Sequence, residues 1–116
     1  MFLSALILAF TPSVSVSESE IIRPEEYYIH QGIEYAAEGD YLSAITILEK
    51  AAEIFPENGE VHYNLGYAYL MNGNNDLAAK QYTKLKELDE DMLAQDLLDW
   101  ITMKDAGCTD KRDGGK

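Results

Sequence analysis

The hydrophobic residues in the central part of the chain recur at helical spacing. Ile45, Leu48 and Ala52 follow one another at steps of three and four residues. The same steps separate the members of a second set, Ala78, Tyr82 and Leu85. Residues spaced in this way share one face of an α-helix, whereas a half-buried strand would alternate apolar and polar positions. The pattern therefore predicts amphipathic helices and an all-α fold.

The helical pattern occurs twice, at a spacing of 34 residues. Gly32 corresponds to Gly66, and Tyr35 corresponds to Tyr69. Two further identities have the same spacing, Gly39 with Gly73 and Ala44 with Ala78. A fixed period of about 20 to 50 residues is typical of stacked supersecondary units. We therefore expect two copies of one structural unit.

The residues between the helical segments predict where each helix ends. Gly39 can adopt the left-handed conformation that ends a helix, and Asp40 can accept hydrogen bonds from the first amides of the next helix. Phe55 precedes Pro56 and is therefore disfavoured in the helical conformation, which ends the second helix there. Each copy is thus predicted to be two antiparallel helices joined by a tight turn.

These residues resemble the tetratricopeptide repeat (TPR) family. The segment YNLGYAY, residues 63–69, is similar to the first helix of that repeat. The turn and the second helix of the family are matched by Gly39, Asp40, Tyr41, Ala44, Ile45, Ala51 and Pro56. The resemblance covers about residues 25–90. It implies a fragment of a right-handed α-solenoid with two helix-turn-helix repeats, residues 25–58 and 59–90.

A different element is expected after the second copy, because Leu85 stands where the first copy has the small residue Ala51. Residues 91–104 are the candidate, and Asp91 can cap the start of a helix there. The apolar stripe on one side of this segment consists of Leu93, Leu97, Trp100 and Ile101. Repeat arrays need terminal elements that shield the last apolar face from water. We therefore predict a C-terminal capping helix, which completes a domain over residues 25–104.

The chain begins with an apolar run, residues 2–10, that is too short to cross a bilayer core, since crossing takes about 20 residues. Pro12 and a series of small-x-small sequences follow it, as in cleavable signal peptides. Residues 1–17 are therefore predicted to be a signal peptide removed between Val14 and Ser19, with a periplasmic or secreted product. No Lys or Arg precedes the run, so an uncleaved N-terminal segment and a cytoplasmic location stay open.

Composition narrows the possible partners. The formal net charge of −12 disfavours nucleic acid and anionic lipid as partners. Residues 18–24 are predicted to be a linker, and the Gly-rich, charged residues 105–116 a disordered tail. Cys108 is the single cysteine of the chain, so no intrachain disulfide can form.

The sequence contains no arrangement that indicates catalysis or a cofactor. His30 and His62 are the only histidines and occupy helices of different copies, and a zinc site would need further ligands beside them. No Gly-rich phosphate loop is present. We therefore expect a protein without enzymatic activity, metal or cofactor.

The resemblance implies a concave groove, lined by the first helix of each repeat, that holds an extended peptide or a partner helix. Mapped residue by residue, the predicted partner-binding residues are Glu26, Ile29, Ile33, Glu60, Tyr63, Asn64, Tyr67, Leu70 and Met71, and the groove also includes Ala36 and Ala37. The rim offers Glu26 and Glu60 and no base, which predicts a partner with Lys or Arg beside apolar anchors. The alternative for each apolar position is that it belongs to the core. Family members use an asparagine equivalent to Asn64 to hold a terminal carboxylate, but their accompanying Lys and Arg residues are missing here.

Two functions remain open at this level. The first is a non-enzymatic module that binds a peptide or helix of a partner protein through the groove. The second is a structural assembly subunit that stacks on itself or on another repeat protein. The second function is supported by the N-terminal side of the first copy. Only Ile21 and Ile22 could shield the apolar face there, which leaves that face available for stacking.

Overall fold

A computed structural model describes residues 22–107 of the chain. The predicted signal peptide, residues 1–17, lies outside the described residues. So do residues 18–21 of the predicted linker and residues 108–116 of the predicted tail, including Cys108.

Five α-helices follow one another along the described part of the chain. Their bounds are Pro24–Ala37 (α1), Tyr41–Ile54 (α2), Gly59–Met71 (α3), Asn75–Glu87 (α4) and Asp91–Asp105 (α5). The predicted all-α fold of two helix-turn-helix units and a C-terminal capping helix is confirmed. α1 includes Pro24 from the predicted linker, because proline is well suited to the first turn of a helix. α5 includes Asp105, the first residue of the predicted tail.

The turns within the two helix pairs share one backbone geometry. Gly39 has φ = 83° and Gly73 has φ = 90°, in the left-handed region that side chains disfavour. At the first turn, the amide of Asp40 donates to the carbonyl of Tyr35 at 2.9 Å, and an equivalent bond is present at the second. The Asp40 carboxylate also accepts from the amide of Ser43 at 3.1 Å, which confirms its predicted role as a helix cap.

The turn between α4 and α5 has the same geometry without a glycine. Asp89 takes the left-handed conformation there, with φ = 63°. The predicted capping role of Asp91 is wrong, because Asp91 is the first helical residue and its carboxylate accepts from Nζ of Lys86 at 2.7 Å. An ion pair across the turn therefore takes the place of a side-chain cap.

The central helix of the fold is α3, which contacts all four other helices. Eight of its thirteen residues are buried, so little of its surface is left for binding. The largest buried cluster joins α2, α3 and α4 and consists of Ala44, Ile45, Leu48, Leu65, Ala68, Tyr69, Leu70 and Ala78. A smaller cluster joins α4 to α5 through Leu85, Ala94 and Leu97. Leu85 therefore packs against the capping helix, as its size predicts.

Close helix packing depends on two glycines at equivalent positions. A Cβ atom on Gly32 would lie 2.6 Å from Cγ of Leu48, and one on Gly66 would lie 2.6 Å from Cδ2 of Leu97. Both leucines are buried, so neither can swing aside into solvent. Each glycine thus allows a leucine from another helix to occupy the space that a side chain would fill.

Polar side chains connect the two units inside this packing. The hydroxyl of Tyr69 on α3 donates to the carboxylate of Glu49 on α2. Burial, reinforced by that hydrogen bond, raises the pKa of Tyr69 well above its ordinary value. His62 is buried, with Nε2 2.8 Å from the backbone oxygen of Pro56 and Nδ1 2.8 Å from Oε1 of Gln81. His62 therefore joins the loop before α3 to the fourth helix.

We expect the substitution Gly66→Leu to lower the free energy of unfolding by about 1–3 kcal/mol, because the new side chain would overlap Leu97. Urea denaturation followed by circular dichroism measures the change. The matched control is Ala79→Leu, which adds the same side chain at an exposed position of α4. Equal unfolding midpoints for the two variants would contradict the proposed role of Gly66.

The substitution His62→Phe tests the polar link between the units. It keeps a ring of similar size but leaves the Pro56 carbonyl and the Gln81 side chain without their partner, at a cost of about 1–3 kcal/mol for a buried unsatisfied group. The control is His30→Phe, since the side chain of His30 is exposed and its partner among residues 22–107 is Glu34, on its own helix. In a thermal melt, the control should stay near the native midpoint while His62→Phe falls below it. A native midpoint for His62→Phe would show that the two hydrogen bonds make no net contribution to the stability of the fold.

Candidate functional site

A cleft of about 190 Å³ lies between α1 and α3, the first helices of the two units. Its lining is mainly apolar and consists of Gly32, Ile33, Ala36, Ala37, Leu48, Asn64 and Tyr67. Leu48 belongs to α2 and reaches the cleft because Gly32 has no side chain to cover it. Two first helices and the leucine beneath them therefore form one concavity.

The α1 side of the cleft combines one exposed branched residue with small neighbours. The side chain of Ile33 is 47% exposed, although it is fully apolar. Ala36 and Ala37 follow Ile33 at three and four residues, so all three lie on one side of the helix. Their methyl groups leave the cleft open, where larger side chains would fill it.

The α3 side of the cleft supplies the polar atoms. The side-chain amide of Asn64 donates to the backbone oxygen of Glu60 at 2.8 Å, which holds Asn64 in place. Within residues 22–107, the side-chain oxygen of Asn64 has no hydrogen-bond partner and can accept one from a ligand. Tyr67 lies one turn further along the same helix.

The ring of Tyr67 packs against Trp100 of the capping helix. The two ring centroids are 5.3 Å apart and the ring planes make an angle of 74°, the edge-to-face arrangement that aromatic pairs favour. Burial, with smaller contributions from Tyr41 and Tyr63, raises the pKa of Tyr67 above its ordinary value. Its hydroxyl therefore stays protonated and can donate a hydrogen bond.

Tyr63 lies beneath the capping helix, away from the cleft. It packs against the cluster that joins α4 to α5. Burial is the main cause that raises its pKa, and the nearby carboxylate of Asp96 adds to the effect. The predicted groove on the second unit is therefore partly closed by α5.

The acidic rim contains a base that the sequence prediction missed. Nε of Arg23 donates to Oε2 of Glu26 at 3.0 Å, and this pair raises the pKa of Arg23 above its ordinary value. The predicted rim without a base is therefore corrected, because Glu26 is neutralised by Arg23. Glu60 is exposed and forms no ion pair within the described part of the chain.

Two predicted groove residues belong to the core. Ile29 is 7% exposed and packs with Ala51 and Val61, because α1 crosses α3 at this point. Leu70 is fully buried in the cluster that joins α2, α3 and α4. Neither side chain is available to a partner, so both are reassigned to the core.

The cleft brings together three of the nine predicted residues: Ile33, Asn64 and Tyr67. Met71 is half-buried against the largest core cluster and does not line the cleft. Sequence reasoning missed Leu48 and Trp100 as parts of the site. The apolar stripe of the capping helix already contained Trp100, but only the crossing of α5 over α3 brings it to Tyr67.

Two other kinds of site are absent from the described residues. No group of three or more His, Cys, Asp or Glu side chains in this part of the chain is arranged to hold a metal ion. None of the five helices there combines the length and apolarity that crossing a bilayer requires.

Comparison with known proteins bears on the fold. A family model described as a tetratricopeptide repeat matches residues 35–101. A curated protein from Nematostella vectensis, "Tetratricopeptide repeat protein 36 homolog", is 29% identical over 80 residues, which cover 69% of this chain and 44% of the relative. The chain thus spans less than half the length of that relative. No solved structure matches the chain.

Proposed function

Because the chain belongs to the tetratricopeptide repeat family, we propose that it binds a peptide or helix of a partner protein in the cleft between α1 and α3. Members of this family generally mediate protein–protein interactions and are typically non-enzymatic. The observation that carries this proposal is the cleft itself, which is apolar, open and lined by the first helix of each repeat.

The size of the cleft suits a single large apolar side chain. A buried cavity of about 150 Å³ is large enough to hold benzene. The cleft, at about 190 Å³, therefore accommodates one aromatic or branched aliphatic anchor. Ile33 forms its wall and Leu48 its floor.

The polar atoms beside the cleft suit the backbone of the same segment. The side-chain oxygen of Asn64 accepts a hydrogen bond, and the hydroxyl of Tyr67 donates one. A peptide bond beside the anchor offers one donor and one acceptor, so it can satisfy both groups. The two side chains therefore orient the segment while the apolar contacts hold it.

Charge indicates which residues flank the anchor. Glu60 stands one turn from Asn64 with no ion pair among the described residues, and the chain as a whole has a formal net charge of −12. A Lys or Arg beside the anchor would reach Glu60. Such complementarity raises the association rate and selects against acidic segments.

A groove formed by only two first helices is short. Interfaces below about 1,200 Å² of total buried surface are typical of weak and transient complexes. We therefore expect micromolar affinity, with the apolar anchor contributing most of it.

The binding segment can be identified with a displayed library of random peptides. The library is selected on the purified chain and, in parallel, on the Ile33→Asp variant. The native bait should enrich peptides with one large apolar residue near a Lys or Arg. Equal enrichment on both baits, or none on either, would overturn the proposal.

The variant Ile33→Asp should weaken binding of the selected peptide at least tenfold, because it places a charge in the apolar wall of the cleft. Trp100 is the only tryptophan in the chain and contacts Tyr67, so its fluorescence reports on occupation of the groove. The matched control is Leu42→Asp, since Leu42 is exposed but does not line the cleft. Equal dissociation constants for the two variants would place the binding site elsewhere.

Glu60 and Glu26 should differ in their effect on salt dependence. Glu60→Gln should reduce the loss of peptide affinity as salt rises, because it removes an unpaired rim charge that salt screens. Glu26→Gln should have a smaller effect, since Arg23 already pairs with Glu26. Titrations at low and high salt compare the two variants with the native chain. An unchanged salt dependence for Glu60→Gln would exclude Glu60 from the interface.

A further inference from the structure

A second and larger cleft, of about 440 Å³, lies on the outer side of the first unit, between α1 and α2. We call this surface the N-terminal face, and its lining consists of Tyr28, Tyr35, Leu42, Ser43, Thr46, Ile47 and Lys50. It shares no residue with the groove cleft. The proposed peptide binding therefore leaves it unused.

The 34-residue period shows that the matching surface of the second unit is covered. Tyr28 corresponds to His62 and Tyr35 corresponds to Tyr69, and both residues of the second unit are buried. The cover is α2, which packs on α3. Glu49 of α2 accepts a hydrogen bond from the Tyr69 hydroxyl. No helix within residues 22–107 covers the first unit in the same way.

The second helix of the first unit is apolar where its counterpart is polar. Leu42 is 66% exposed, and the equivalent residue of the second unit is Asp76. Ile47 likewise corresponds to Gln81. The opposite holds at Ser43, whose apolar counterpart Leu77 packs on the buried cluster that joins α2, α3 and α4. Leu42 is the exposed apolar side chain of the face, and Ile47 is half-buried beside it against the largest core cluster. An exposed apolar side chain at the edge of a partly apolar cleft marks an interaction surface.

The N-terminal face has acidic side chains at one end and a single lysine at the other. Glu34 and Glu38 lie beside Tyr35 at one end. Lys50 lies at the other end, two turns beyond Leu42, or about 12 Å along the helix. Neither Lys50 nor Glu38 forms an ion pair within the described residues. When a second copy is turned end to end, the lysine of each face therefore lies at the acidic end of the other.

We propose that the N-terminal face binds the same face of a second copy of this chain in a two-fold symmetric dimer. A two-fold axis brings identical surfaces together, so every contact occurs twice. With the helices antiparallel, Lys50 of each copy lies beside Glu38 of the other. Leu42 and Ile47 of both copies then share one apolar interior, which replaces the cover that α2 provides to the second unit.

Sedimentation equilibrium of the full chain across a dilution series tests the proposal. The native chain should shift from monomer to dimer as its concentration rises. Leu42→Asp should raise the dimer dissociation constant at least tenfold, because it places a charge in the apolar interior. The matched control is Met92→Asp on α5, since Met92 is 84% exposed and lines neither cleft; it should leave the constant unchanged.

A charge exchange tests the two-fold arrangement directly. Lys50→Glu and Glu38→Lys should each weaken the dimer, since each variant places like charges opposite one another. A mixture of the two variants should form a heterodimer close to native affinity, because each copy then supplies the charge that the other needs. A mixture that stays monomeric would overturn this register.

Other occupants of the face give distinct results. A native chain that is monomeric at every concentration overturns the proposal. If Leu42→Asp also lowers the unfolding midpoint of that monomer, a segment of the same chain covers the face. A dimer that is lost in Ile33→Asp but kept in Leu42→Asp would instead place self-association in the groove. Peptide binding by Leu42→Asp stays native in all these cases if the proposed function holds.

Discussion

The missing side chain at two equivalent glycines is the constraint on which the architecture and the groove both depend. A Cβ atom on either Gly32 or Gly66 would lie 2.6 Å from a buried leucine. The two leucines differ in origin, since Leu48 comes from the second helix of the first unit and Leu97 from the capping helix. At Gly32 the leucine forms the floor of an open cleft. At Gly66 the capping helix packs against α3 and covers the equivalent space. The cleft is therefore open beside the first unit and closed beside the second.

The capping helix therefore stabilises the fold and also contacts a residue of the proposed groove. It buries the apolar end of the array through Leu97 and presents Trp100 to the ring of Tyr67. Because aromatic pairs of this kind contribute about 0.5–1.5 kcal/mol beyond their buried area, Tyr67 is a structural residue as well as a groove residue. Ile33 is the better probe of the proposed binding, since its side chain is exposed and belongs to none of the core clusters within the described residues.

The features that depend on local sequence could be predicted, and those that depend on helix crossing could not. The left-handed turn at Gly39 and the helix cap at Asp40 follow from the properties of single residues. Helical spacing places Ile29 and Ile33 on one stripe of α1, but the crossing of α1 over α3 buries the first and exposes the second. The capping role expected of Asp91 was wrong for a local reason. Lys86, brought close by the turn, pairs with its carboxylate.

The groove and the N-terminal face lie on different sides of α1, so occupation of one leaves the other free. Ile33 lines the groove and Tyr35 the face, and residues two apart on a helix point in different directions. A dimer formed through the face therefore presents two open grooves. The proposed groove, for which we expect micromolar affinity, would gain from this arrangement, because a partner with two binding segments would engage the second groove at a high effective concentration. In the two proposals taken together, each groove binds a single segment as the monomer does, and the dimer adds strength only for a partner with two such segments.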